Sequence, residues 1–450
     1  MTIMKICVLT ITRLMKNNPP SILFALLMLT TTSCGLFSNA NKSHKPMQTK
    51  TYQPQGKTDD FLNDLLLKDS FVASVLNNPK EYNAQIIYTK IDRSATNLTN
   101  FTAYSVNADP SFYYYPASTI KMPLAFLALQ KIKELNEKGI MITKDMAMIT
   151  GTSTKAQTAV NADSTALNGK PSIAHYIKKI FLVSDNDASN RLYEFLGQDY
   201  INSNLQKMGY NSVEILHRLG VTLPIEENKI TNPITFIDAT GKIIYEQAAQ
   251  TNTTVYKKRN DFRGIGFMRG DSLVKTPFDF SNKNRLCLND LDAILKAVVF
   301  MPYTATKNRF NITESDRLFL LQYMSQLPSE STYPSYDPTE YFDQYVKFNL
   351  FGSEKKGTMP KNIRVFNKVG DAYGYAIDAS YIVDFDANIE FVLSTTIYVN
   401  KDGIFNDDKY ELEEIAYPFM KRVGELLYEY EKDRKKANVD LSGFKLKYDK

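Results

Sequence analysis

The chain has 450 residues, enough for one large domain or two, and its 43% hydrophobic and 23% charged residues allow a sizeable globular core. A net charge of +5 with no concentrated basic stripe argues against nucleic acid as a partner. Three cysteines (Cys7, Cys34, Cys287) and three scattered histidines (His44, His175, His217) give neither a disulfide framework nor metal-ligand spacing, and no cofactor is called for.

Residues 1–33 read as an export signal. Lys16 supplies positive charge, Ser21 to Leu29 a short apolar run, and Thr31-Thr32-Ser33 the small residues of a cleavage site. The run is too short to span a bilayer comfortably. Ser33-Cys34-Gly35 resembles a bacterial lipoprotein cleavage site, which implies acylation of Cys34 and a membrane tether, although Thr31 stands where leucine is usual. Simple secretion is the alternative. Residues 34–58 form a polar, flexible tether.

The main domain is expected over 59–432. Phe61, Leu62, Leu65 to Leu67, then Phe71, Val72 and Val75, predict an amphipathic helix. Ala84 to Ile91 and Asn100 to Val106 predict two strands across a polar turn. Pro116-Ala117-Ser118 then opens a helix whose apolar residues run from Met122 to Leu135 at helical spacing. Ser118 falls in its first turn, and Lys121, three residues on, shares its face. A serine hydroxyl needs a neighbour to take its proton, and a lysine made neutral by its surroundings can be that base. Alone, Ser-x-x-Lys is weak and more often marks a helix cap with a solvated lysine.

Gly151 to Lys170 reads as a loop. Ile173 to Phe181 and Ala188 to Leu196 predict helices with Ser184-Asp185-Asn186 between them. Helical patterns recur at Leu288 to Phe300 and Ser315 to Leu327. Ile363 to Lys368 predicts a strand ending at Lys368-Val369-Gly370. Two more strands, Tyr375 to Phe385 and Ile389 to Val399, follow around the turn Asp386-Ala387-Asn388. Tyr410 to Glu431 predicts a long amphipathic helix, and residues 433–450 a charged, loose tail.

Ser-x-x-Lys, Ser-Asp-Asn and a Lys-Thr-Gly-like triplet, in this order, resemble the signature of penicillin-recognising serine enzymes, and the wording Pro-Ala-Ser-Thr-Ile-Lys resembles class A β-lactamases. The resemblance implies an α+β fold: an antiparallel sheet flanked by N- and C-terminal helices, beside an all-helical lobe. It implies a serine hydrolase acylated at Ser118, with Lys121 as base, Ser184 as proton shuttle, Lys368 as the cation beside it, and Asn186 and Gly370 at the substrate. The substrate class would be β-lactams or peptidoglycan-like peptides, handled outside the cytoplasm. The resembled family carries a deacylating glutamate in the loop that would correspond to His217 through Pro233. Here Glu226 and Glu227 are the candidates, and neither matches cleanly. Val369 replaces the usual hydroxyl of the third motif. The spacing from Ser184 to Lys368 exceeds the family's, which implies an insertion around 235–360. Three functions stay open: a β-lactamase-like hydrolase, a D-Ala-D-Ala peptidase-like or slow-deacylating penicillin-binding lipoprotein, and a non-catalytic exported binding protein.

Overall fold

The computed structural model describes residues 56–94, 99–434 and 440–450. The expected export signal, the Cys34 anchor and most of the 34–58 tether lie outside the described residues.

Five strands make the main sheet: β1 (Gln85–Arg93), β2 (Thr99–Val106), β3 (Ile363–Ala372), β4 (Tyr375–Asp384) and β5 (Ile389–Tyr398). They pair antiparallel in the order β3-β4-β5-β1-β2, so the first hairpin docks on the last strand, with Gln85 opposite Thr396. The sequence of β4, Tyr-Ala-Ile-Asp-Ala-Ser-Tyr-Ile-Val-Asp, is buried along its whole length because both faces of the sheet are covered. The β4–β5 turn is held by Asp384, whose Oδ1 accepts from the N–H groups of Asp386 and Ala387, both at 2.8 Å.

On the outer face lie α1 (Asp60–Leu66), α2 (Ser70–Leu76) and the long C-terminal helix Tyr417–Asp433. Leu62, Leu66, Val72, Phe419, Val423 and Leu427 share one apolar core with the sheet. The single N-terminal helix expected from periodicity is two, because Asp69 caps a new start. Its Oδ1 accepts from Phe71 N and Val72 N at 3.1 and 3.0 Å, and its Oδ2 from Arg422 at 2.7 Å. The C-terminal helix begins with a π-turn at Leu412–Ala416 rather than as a regular helix from Tyr410.

The other face carries the helical lobe: α3 (Lys121–Glu137), α4 (Ile173–Val183), α5 (Asn186–Leu196), α6 (Gln198–Lys207), α7 (Leu288–Val299) and α8 (Glu314–Ser325). α3 is buried at every position from Lys121 to Ile132, as a helix apolar on nearly all sides must be. Within the stretch expected as an insertion, Ile234–Ile237 pairs with Ala147–Thr150 and with Ile243–Gln247, and short strands follow up to Asp279. From Leu288 onward the chain is part of the body: α7 packs on β1, β4 and β5, and α8 on β3 and α4.

The loose tail is a correction. Residues 440–450 are tied down, with Phe444 against the rings of Tyr381 (4.8 Å), Phe366 (5.7 Å) and Phe300 (6.2 Å). Tyr448 bonds Ser325 at 3.0 Å under the Arg364 guanidinium. A charged composition hid an aromatic anchor that has no helical or strand period. Phe444→Ala is expected to lower unfolding stability by about 1–3 kcal/mol, less than a fully buried phenylalanine, as read by urea denaturation. An unchanged midpoint would mean that the tail contributes nothing.

Candidate active site

Ser118 stands on a forced turn. Pro116 fixes its own φ at −76°, Ala117 then takes φ +47°, and a 3-10 turn over Ala117–Ile120 leads into α3 at Lys121. A left-handed alanine costs about 1–2 kcal/mol. The turn is held by Thr119, whose N–H and Oγ1 both donate to Pro116 O, at 3.1 and 2.6 Å. The regular helix therefore starts three residues later than Ser118. Behind this turn runs β3. A Cβ on Gly370 would lie 2.6 Å from Ser118 N and 2.7 Å from Thr119 N, so only glycine lets strand and turn meet.

Ser184 ends α4 in the left-handed region, φ +58°, with its N–H on Ile180 O at 3.1 Å. Asp185 then caps α5 through Ala188 N at 2.7 Å. This tight reversal aims Ser184 and Asn186 the same way. The ammonium of Lys121 reaches them: it donates to Ser184 O, to Ser184 Oγ at 3.3 Å and to Asn186 Oδ1 at 2.7 Å. From the sheet, Lys368 Nζ donates to Ser184 Oγ at 2.8 Å and to Val369 O at 2.7 Å. Residues from all three motifs thus converge, with Ser184 as their hub. β3 does not end at Lys368 as expected but runs on to Ala372. The Ser118 hydroxyl makes no hydrogen bond among the described residues, and its link to the others is the close approach of Gly370 and the turn that leads into the helix of Lys121.

The electrostatics follow from burial. Lys121 is 0% exposed, and desolvation pulls its ammonium down to about 7, against the opposing pull of Asp185 and Asp371. Lys368 is pushed well below the usual lysine range, first by burial and next by Lys121. Two ammonium groups on one hydroxyl repel, so near neutrality this cluster holds proton donors and acceptors together.

The loop after α6 contains the two glutamate candidates. Glu226 is paired with Lys229 at 2.8 Å on the surface, and Glu227 accepts from Thr154 at 2.9 Å. Among the described residues no carboxylate lies within 4.0 Å of the Lys121 amine. Val369 faces the outer core and is 2% exposed, so its side chain packs there and its position offers no hydroxyl.

Sequence reasoning missed what fixes this loop. Asn190 and Leu219 exchange two hydrogen bonds at 2.8 Å, and Arg218 bonds Glu194 at 3.1 Å inside the protein. Gly220, φ +70°, lies so close to Asn186 that a Cβ would meet its Nδ2 at 2.8 Å. One signal was present: Asn186, Asn190 and Glu194 recur every four residues, a polar stripe on one face of a buried helix.

The model of the Beta-lactamase enzyme family matches residues 84–430. Among solved structures, a beta lactamase from Xanthomonas campestris pv. campestris is similar at 12% identity, covering 82% of this chain and 97% of that one, with a TM-score of 0.44. A class A beta-lactamase from Clostridium kluyveri is similar at 13% identity, covering 80% of this chain and 97% of that one, with a TM-score of 0.43. None of the curated proteins matches.

The buried lysines set the pH dependence of folding. Lys121 and Lys131 titrate at about 7 in the fold and near 10.4 when unfolded, so between these values the unfolded chain binds more protons. Stability therefore rises with pH over that window. The melting temperature is expected to climb by a few degrees from pH 7 to 9, in calorimetry at fixed ionic strength. A flat or falling profile would contradict this burial.

Proposed function

Since the chain belongs to the Beta-lactamase enzyme family, we propose that it is a serine hydrolase acylated at Ser118 by β-lactams or a D-Ala-like peptide amide, with a long-lived acyl-enzyme. The observation that supports this reading is the bonding of Lys121: its amine meets Ser184 and Asn186 and, among the described residues, no carboxylate within 4.0 Å. The first half-reaction has its parts. Neutral Lys121 takes the Ser118 proton as Oγ attacks the carbonyl carbon. The Ser118 N–H, in a first turn without a helical acceptor, supports an oxyanion, and a second donor would come from β3 after Gly370. As the C–N bond breaks, the leaving nitrogen takes its proton through Ser184, fed by Lys121 and Lys368. Asn186 would hold the substrate's amide.

The second half-reaction, attack of water on the ester, needs a base placed for the water. In the resembled enzymes a loop glutamate does this. Here Glu226 and Glu227 are engaged elsewhere, which favours the slow-deacylating alternative over rapid β-lactam hydrolysis. Asp371, beside Gly370 in sequence, bonds Tyr417 at 3.2 Å. The proposed location is outside the cytoplasmic membrane, tethered through a lipid on Cys34, on the strength of the apolar run and Ser33-Cys34-Gly35.

A fluorescent penicillin tests the enzymatic reading. The protein is expected to take one label that persists on gels and in intact mass, and Ser118→Ala none. Lys121→Ala should slow labelling by about 10²–10⁴-fold. The wild-type acylation rate should rise with pH through about 7, as the Lys121 amine loses its proton. Rapid turnover of a chromogenic cephalosporin would instead restore the fast hydrolase, and no label under any condition would leave a non-catalytic binding protein. Radiolabelled palmitate should enter the wild-type protein and not Cys34→Ser.

A further inference from the structure

Behind Lys368, on the side of β3 turned away from Ser184, three polar side chains are shut off from solvent. Lys347, Asn367 and Asp378 are 1, 2 and 0% exposed. Lys347 Nζ donates to Met324 O at 3.0 Å, Val365 O at 2.9 Å and Asn367 Oδ1 at 2.7 Å. An ammonium has three N–H donors, and each has its acceptor. Asp378 accepts from Phe348 N at 3.2 Å, Asn349 N at 3.0 Å and Asn367 Nδ2 at 2.9 Å. Asn367 therefore turns its carbonyl to a cation and its amide nitrogen to an anion. The reverse orientation would set donor against donor.

The placement matters because of the neighbours in sequence and register. Asn367 immediately precedes Lys368, and Asp378 sits opposite Val369 across the β3–β4 pairing. Both sides of Lys368 are thus tied to the same buried group. Asn349 extends it to Ser380 Oγ (3.1 Å) and Thr395 (2.7 Å), on β4 and β5. Stability alone does not call for such a group, since apolar residues of similar volume commonly serve as well or better.

We infer that Lys347, Asn367 and Asp378 are positioning residues for Lys368, a charge-neutral brace that fixes where its ammonium meets Ser184 and what field it feels. The consequence for acylation rests on the function proposed above; the consequence for Lys368 itself does not. The charged groups acting on Lys368 are Lys121 from α3, Asp371 from its own strand, Asp378 from β4 and Lys347 from the segment before β3. The two lysines disfavour its charge and the two carboxylates favour it.

Carbon-13 labelling of lysine Cε lets each ammonium be titrated by NMR, with Lys368 assigned by the signal lost in Lys368→Arg. Asp378→Asn is expected to move the Lys368 midpoint down by about half a pH unit or more, and Lys347→Met to move it up. Opposite signs separate a field effect from general loosening, which would shift both variants alike. Asn367→Leu, which keeps the volume, should slow labelling by a fluorescent penicillin about tenfold. A Lys368 midpoint unmoved in both charge variants overturns the inference. Should either single variant fail to fold, the neutral double variant Lys347→Met/Asp378→Asn replaces it. Its midpoint is expected below wild type, since Asp378 acts on Lys368 more strongly than Lys347 does, and an unchanged value is again fatal. If the wild type takes no penicillin label, the proposed function falls while the titration still decides the brace.

Discussion

Two lysines meet at one hydroxyl. Lys121 comes from the start of a buried helix and Lys368 from an edge strand, and both end on Ser184. In water their ammonium groups would simply part. Here neither can, because each stem is enclosed by the core, so burial and mutual repulsion act on protonation instead of on position. Much of the architecture serves this enclosure. The sheet supplies a rigid back wall, α3 is surrounded by other helices, and the left-handed Ala117 and Ser184 buy the sharp turns that bring the hydroxyls in.

The loop after α6 lies against this centre through contacts of its own. Its Arg218 is drawn inward to Glu194, its Leu219 is doubly bonded to Asn190, and Gly220 allows it to lie flat on Asn186. These contacts fix the loop without supplying a carboxylate to Lys121. Under the function proposed above, this arrangement is why the ester is expected to outlast its formation.

How much of this was legible in the sequence depends on range. Local periodicity located the strands of the main sheet and the helices around Ser184, and short motifs identified Ser118, Lys121, Ser184, Asn186 and Lys368 as candidates. Those motifs work because a helix turn or a strand end dictates where two or three neighbouring side chains point. What the sequence hid was paired over distance. Asp69 splits a helix by capping locally and holding Arg422, far along the chain. Phe444 anchors a charged tail through three rings from three separate segments. Lys347 looks like any surface lysine until Asn367 and Asp378 are brought beside it.

The pairing of β1 with β5 has a consequence for how the molecule forms. Gln85 finds Thr396 as its partner, so the sheet is open in the middle until nearly the whole polypeptide is available. Closing so large a loop is entropically costly before any contact rewards it, and folding should be slow. During that interval the first hairpin exposes an unpaired edge, the kind of surface that neighbouring chains can capture. Newly made protein is therefore most exposed to misassembly before its last third arrives.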